Sequence, residues 1–315
     1  MSTALKRFLQ AIPTLLGVSI LVFCLLRLSG DPVRSLLPPD ATREQIILKR
    51  QELHLDEPIP VQYWYWLRDA LRGNFGVSWV GSQRPVAPDL IKRIPATLEL
   101  AVTTMAIATF LAISVGLLSS RKPYGFFDNT SRTVIFVFLA APAFWLGIEL
   151  IIIFSRRLQL LPPAGRGHGT VWDHLRHLAL PSITLGVGTA AALCRVLRSS
   201  MLETLSSDFV RTARAKGVSG KTVLVHHAFR NALIPFVTLS GLSIAGLLEG
   251  SIIVESIFAW PGLGQWMVDG IKGGDTPVVM AGVLTIAVVY TLVNLAVDLL
   301  YTVIDPRIRI GGSAK

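Results

Sequence analysis

The stretch "DFVRTARAKGVSGKTVLVHHAFRNALIP", Asp208 to Pro235, sets Arg211, Arg214, Lys216, Lys221 and Arg230 against a single acid, Asp208. It sits in a chain that is 51% hydrophobic, so it reads as a water-facing hairpin between two apolar segments. It also contains "AKGVSGKT", Ala215 to Thr222, one spelling of a phosphate-binding loop. Such a loop needs a buried strand ahead of its glycine-rich turn and a helix after it. Here "DFVRTARAK" reads as helix, and no acid-ended hydrophobic strand follows that could hold magnesium. The alternative is two short helices around a glycine turn. Ser207 or Asp208 caps the first, Lys216 lies in its last turn, and Gly217 sits just beyond, where a left-handed residue costs least. Ser219 caps the second, which runs to Asn231 and Pro235, where the next apolar segment opens.

The segments on either side fit a membrane protein. Only 16% of the 315 residues are charged, against about 25% in soluble domains, and the mean hydropathy is +0.56. A span needs about 20 predominantly apolar residues. Phe8 to Leu26, Leu100 to Ser120 and Thr276 to Val297 carry no charge, Thr133 to Ser155 carries only Glu149, and Asn231 to Val254 carries only Glu249. Leu178 to Cys194 is shorter, but the stem of Arg195 extends it. The expectation is therefore an all-α polytopic membrane protein with six transmembrane helices. No small-x-small site follows the first run at "RLSGDP", so it reads as a retained anchor rather than a cleaved signal. Cys24 and Cys194 fall within spans far apart in sequence, which suggests neither a disulfide nor a zinc site.

Loop charge orients the chain. With the N-terminus inside, the cytoplasmic segments hold fifteen Lys and Arg and the short outer loops five, while the long first loop adds ten more outside. Loops longer than about 60 residues lose their weight in this rule, so both termini and the basic hairpin are placed in the cytoplasm. The net charge of +10 then reflects orientation and a partner surface, not nucleic-acid binding. The domain layout follows: an anchor helix at 1–28, an extracytoplasmic helical region at 29–93, a five-helix core at 94–305 with a cytoplasmic segment at 199–231, and a tail at 306–315. In the outer region, Thr42 and Gln45 have capping-box spacing ahead of Ile46, Ile47 and Leu53. A second helix, "PIPVQYWYWLRDALRG", sets four aromatics in a row at Tyr63 to Trp66, which cannot share one helix face.

Ionisable residues in spans are costly and functional by default, so Glu99, Glu149, Glu249 and Arg195 are candidates. Glu99 and Arg195 lie near span ends, where the interface suffices to account for them. Glu249 lies well inside, beside "GLLEGS", whose small residues permit close helix approach. This suggests a translocation path or a subunit interface. His168, His174 and His177 with Asp173 have the residue types of a metal site, but outer loops collect histidines without binding metal, and no metal is expected.

Eight segments together carry a resemblance over nearly the whole chain: "GDP" (30–32), "LDEPIPVQY" (55–63), "GNFGVS" (73–78), "PATLEL" (95–100), "ARAKGVS" with "RNALIP" (213–219 and 230–235), "FAWPGLG" (258–264) and "DPRIR" (305–309). The chain resembles the inner-membrane permease subunits of ATP-binding-cassette importers, specifically the dipeptide/oligopeptide/nickel family. The resemblance implies the importer-permease fold, a bacterial inner-membrane location and no enzymatic activity in this chain. ATP and Mg would be bound by two partner ATPase subunits. A second, related permease subunit, an extracytoplasmic solute-binding protein and membrane lipid complete the implied partners.

It also implies that Arg211, Thr212, Ala213, Arg214, Ala215, Lys216 and Gly217 couple to the ATPase. The wider importer motif begins Glu-Ala-Ala, followed by a glycine; this chain reads Arg211, Thr212 and Ala213 there and retains the glycine as Gly217. No role is therefore borrowed for that glutamate. Tyr63, Trp64, Trp66 and Trp260 are the residues expected to face the binding protein. The expected cargo is a di- or oligopeptide; nickel or a metal chelate is the alternative. An ion-gradient-driven secondary transporter is the alternative from another class, but it favours inverted repeats with broken helices at matching places, and no such repeat is visible.

Overall fold

The computed structural model describes residues 3–28, 33, 37, 41–80, 83–167 and 169–304. The segments "GDP" and "DPRIR", His168 and the 306–315 tail lie outside the described residues. Within them the regular backbone is helical, apart from one isolated antiparallel bridge between Val77 and Pro85.

We number the helices α1 (Thr3–Leu28), α2 (Arg43–Glu52), α3 (Ile59–Leu71), α4 (Val86–Arg121), α5 (Phe126–Ala140), α6 (Ala143–Arg157), α7 (Val171–Ser206), α8 (Asp208–Ala215), α9 (Gly220–Ile257), α10 (Leu263–Gly273) and α11 (Thr276–Ile304). Helices α1, α4, α7, α9 and α11 are each long and apolar enough to cross a membrane.

The sixth expected span, Thr133 to Ser155, is not one straight helix. It is shared by α5 and α6, which meet at a bend of 105°. The cause is local: Pro142 cannot continue α5, and the residue before a proline is driven out of the helical region. Ala141 accordingly has φ −76° and ψ 126°. The second half of α6, Ile151–Arg157, is π-helical. Counting the bent pair as one broken span gives six crossings.

Two compact units make up the chain. The first comprises 1–97 and 261–295. Its core joins Val86 and Leu90 of α4 to Leu263 and Trp266 of α10 and Val278 and Ala281 of α11. Asp275, just ahead of α11, is buried and accepts hydrogen bonds from Ser78 Oγ (2.5 Å) and the Val80 amide (3.3 Å), which ties the 76–80 turn to the helix start. In α2 the anticipated capping box is present: Gln45 N donates to Thr42 Oγ1 at 3.3 Å, and Thr42 N to Gln45 Oε1 at 2.9 Å. Its apolar stripe, however, stays largely exposed at Ile46 and Ile47.

The second unit comprises 98–260 and 296–315. Small residues let its helices approach closely, as expected for membrane helices. Ala108 and Ala112 of α4, Ala190 and Leu197 of α7, and Ala232 and Phe236 of α9 share one buried cluster. At Gly116 even a Cβ would sit 2.9 Å from Leu197, and at Gly186 one would lie 3.5 Å from the Thr104 carbonyl.

Candidate functional site

The basic hairpin folds as its turn chemistry dictates. Helix α8 ends at Lys216, and Gly217 follows with φ +80°. The Gly217 amide donates to the Arg214 carbonyl (3.0 Å) and the Val218 amide to the Ala213 carbonyl (3.2 Å). This is the paired closure of a helix end that uses a left-handed residue to satisfy the last carbonyls. Ser219 then caps α9 by accepting from Thr222 N at 3.3 Å. At the other end, Ser207 occupies the cap position of α8 but makes no cap bond; its hydroxyl turns back to the Thr204 carbonyl at 2.6 Å.

The expected break at Asn231 and Pro235 is absent. Helix α9 runs from Gly220 straight into the span, with Val223–Phe229 in π-helical form. The amide of Asn231 donates to the His227 carbonyl at 2.7 Å. The wider turn, with that side-chain bond, carries the helix up to a proline that has no N–H of its own.

The outer surface of the hairpin is cationic. Arg211, Arg214, Lys216, Lys221 and Arg230 are all exposed, along with Phe209 and Val225. The exposed Arg211–Asp208 contact is 3.7 Å long. The inner surface is apolar: Val210, Val223 and Ala228 are buried. Lys221 follows a helix and a turn, with no strand upstream, so the structural setting of a phosphate loop is missing.

On the helix that leads into the hairpin, Arg198 belongs to a pair that sequence reading did not find. Asp128, fully buried in the first turn of α5, is held by Arg198 of α7 in a two-pronged contact: Nε to Oδ1 at 2.5 Å and Nη2 to Oδ2 at 2.6 Å. The Tyr124 amide adds a third donor at 2.8 Å. This bond network fastens the 121–126 turn to α7 shortly before the hairpin begins. Its members are 70 residues apart, and only the acid in the first turn of a helix hints at it.

Glu99 also proves to be paired. Its Oε2 accepts from Arg166 Nη2 (2.7 Å) and Nε (3.2 Å), and its Oε1 meets His174 Nε2. His174 Nδ1 lies 2.8 Å from the Arg166 carbonyl, and His177 Nδ1 lies 2.8 Å from that of Asp173. Both nitrogens of His174 are thus occupied, and among the described residues no group of three His, Cys, Asp or Glu could hold a metal. Trp260, expected on a recognition face, is instead completely buried. Its ring lies 5.8 Å from both the Arg166 guanidinium and the His174 ring, and its amide donates to the Glu255 carbonyl (2.9 Å). Glu255 itself is a fully buried carboxylate that the sequence reading passed over. Arg195 is exposed.

In the first unit the aromatic run splits by helical direction. Tyr63 and Trp66, one turn apart on α3, turn inward: Tyr63 OH lies 2.8 Å from Ser19 Oγ and both rings meet Phe23 of α1. Trp64 points away and is 61% exposed. Of the four aromatic candidates, it is the one that presents a free face.

Glu149 is half-buried on α6, while Glu249 is exposed on α9. Thr238, Leu242, Gly246, Glu249 and Ile253 form one exposed stripe along α9 at helical spacing, and a Cβ on Gly246 would meet nothing within 4 Å. A carboxylate within a span does not belong against lipid. The stripe therefore suits a second chain or a water-filled path.

Comparison with known proteins agrees with this architecture. Residues 108–310 match the family described as "Binding-protein-dependent transport system inner membrane component", and residues 1–101 match its companion, "Binding-prot-dependent transport system membrane comp, N-term". The glutathione transport system permease protein GsiC of Escherichia coli (strain K12) is 43% identical over 306 residues, covering 97% of this chain and 98% of that one. The GsiC of Salmonella typhi matches with the same identity and coverage.

Among solved structures, the inward-facing MetNI methionine ABC transporter aligns with TM-score 0.56 at 19% identity, over 69% of this chain and 96% of that one. An amino acid ABC transporter with histidines aligns with TM-score 0.52 at 16% identity, over 70% and 94%. These two likenesses concern the fold. The long apolar helices, the shared fold and the full-length sequence match lead to one conclusion: the chain belongs to the binding-protein-dependent transport system inner membrane components, as a multi-pass permease subunit of an ATP-binding-cassette importer.

Proposed function

We propose that this permease imports short peptides, with tripeptides of the glutathione kind as the favoured solute. The observation that carries this reading is the 43% identity to glutathione permeases, sustained over 97% of the chain. Identity of that extent includes the spans, where solute contacts must lie. Solute would arrive on an extracytoplasmic binding protein, and Trp64 offers it an exposed aromatic.

On the cytoplasmic side, Arg211 to Gly217 form the contact with the ATPase subunits, where ATP and Mg are bound. The exposed cations beside Phe209 and Val225 suit this role, since such interfaces combine apolar anchors with charge complementarity. The open stripe on α9 that carries Glu249 supports a second permease subunit at that face, with Glu249 lining the path at the seam. Glu149 has weaker support, being half-buried on α6.

The reading is tested by purifying the complex and measuring uptake. Two ATPase subunits and a second permease should co-elute, and labelled glutathione should enter reconstituted vesicles only with ATP inside and binding protein outside. ATP-independent uptake driven by an ion gradient would sink it. Glu249→Leu should insert normally, because removing a carboxylate from a span favours insertion, and should lose most uptake at unchanged expression. Full uptake by that variant would remove Glu249 from the path.

A further inference from the structure

We propose that the first unit holds a phospholipid as a structural partner, with its headgroup in a polar cavity and an acyl chain in an adjoining apolar groove. The cavity has a volume of about 580 Å³ and is lined by Phe23 and Arg27 of α1, Lys49 of α2, and Gln62, Trp66 and Asp69 of α3, among others. The groove, about 500 Å³, is lined by Ile12 and Leu16 of α1, Leu67 and Ala70 of α3, and Leu284 and Val288 of α11. Phe75 lines both. Three helices line both spaces: α1 from Arg27 to Ile12, α3, and α11 from Met280 to Val288.

The change from polar to apolar along these helices matches a lipid. Along the groove, Ile12 to Ser19 is about 10 Å of α1 and Leu284 to Val288 about 6 Å of α11. One leaflet of a ~30 Å hydrocarbon core is about 15 Å deep. The groove thus takes part of a single acyl chain. Helices α1 and α11 cross the bilayer, so water cannot occupy the groove without stranding its hydrogen bonds against hydrocarbon walls.

The cavity offers partners of both signs. Arg27, stacked over Phe23 at 5.1 Å, and Lys49, which also donates to Glu52 at 2.9 Å, suit a phosphate. Asp69, in a 3.4 Å contact with Arg68, suits an ammonium. Gln62 is more than nine-tenths buried, and its Nε2 donates to the carbonyls of Leu55 (3.1 Å) and Glu57 (2.7 Å), which closes that wall of the cavity. A zwitterionic headgroup carrying phosphate and an ammonium, as in phosphatidylethanolamine, suits Arg27, Lys49 and Asp69 together. The lipid would hold α1 to α11 independently of the transported solute.

The test uses the full complex in nanodiscs of mixed phosphatidylethanolamine and phosphatidylglycerol, released for native mass spectrometry. The wild type should retain one phosphatidylethanolamine that Ala70→Trp, which fills the groove, loses. Lys49→Ala, which removes a cavity-lining cation from α2, should lower that occupancy several-fold. Val102→Trp, on an exposed face of α4, should retain it. Retention at the wild-type level in Ala70→Trp and Lys49→Ala overturns the proposal, as does retention of phosphatidylglycerol in its place. Displacement of the retained lipid by added glutathione would assign the cavity to solute, and would likewise overturn it.

Discussion

Arg198→Met is expected to destabilise the purified complex by about 3–5 kcal/mol, the usual cost of leaving one member of a buried ion pair uncompensated. Asp128 is fully buried and takes two bonds from Arg198, of 2.5 and 2.6 Å. Methionine keeps the length of the side chain and removes both donors, leaving only the Tyr124 amide facing the carboxylate. Asp128→Asn should be similarly damaging, because it strands the guanidinium instead. The double variant Asp128→Asn with Arg198→Met should recover most of the loss, since no buried charge remains. Thermal unfolding of the complex in detergent measures all three. Additive losses in the double variant would show that the two residues act separately, contrary to the geometry. Uptake should fall with stability in the single variants, because this pair anchors the helix that leads into the basic hairpin.

The second large effect concerns Gly217. Its φ of +80° is one that a β-branched residue adopts only with strain, and a Cβ there would meet nothing within 4 Å. The penalty of Gly217→Val is therefore conformational rather than steric, about 1–2 kcal/mol, enough to reopen the closure at Arg214 and Ala213. Transport should collapse while the spans remain folded. Gly217→Asn should retain much of the activity, because asparagine tolerates the left-handed region. Lys221→Ala removes one exposed charge among five and should leave ATP turnover by the complex nearly unchanged, whereas in a phosphate loop the same change would abolish it. Measuring uptake and ATPase activity for all three variants separates the readings. Equal activity of Gly217→Val and wild type would show that the turn does not shape the coupling surface.

What could be read from the chain alone was the part governed by neighbours in sequence. Span positions follow from apolar runs of the right length, and the capping box at Thr42 and the glycine closure at Gly217 follow from residues three to five apart. The bend between α5 and α6 was equally local: Pro142 stands in the middle of the run read as a straight span. The remaining features depended on packing. Glu99 meets Arg166 and His174, which lie 67 and 75 residues further on, and Asp128 meets Arg198 across 70; nothing in the intervening sequence specifies either pairing.

Trp260 has the composition of a recognition residue and the position of a core one, and only the arrangement of α7 and the 158–170 loop decides between them. Tyr63, Trp64 and Trp66 are chemically alike, but α1 lies on one side of their helix and so buries two while leaving the third free. Glu249 was conspicuous as a lone carboxylate in a span, yet the sequence left its direction undetermined. Helix packing decides it, because the face of α9 that carries Ala232, Phe236, Ala245 and Leu248 is buried, which leaves the stripe of Leu242, Glu249 and Ile253 exposed.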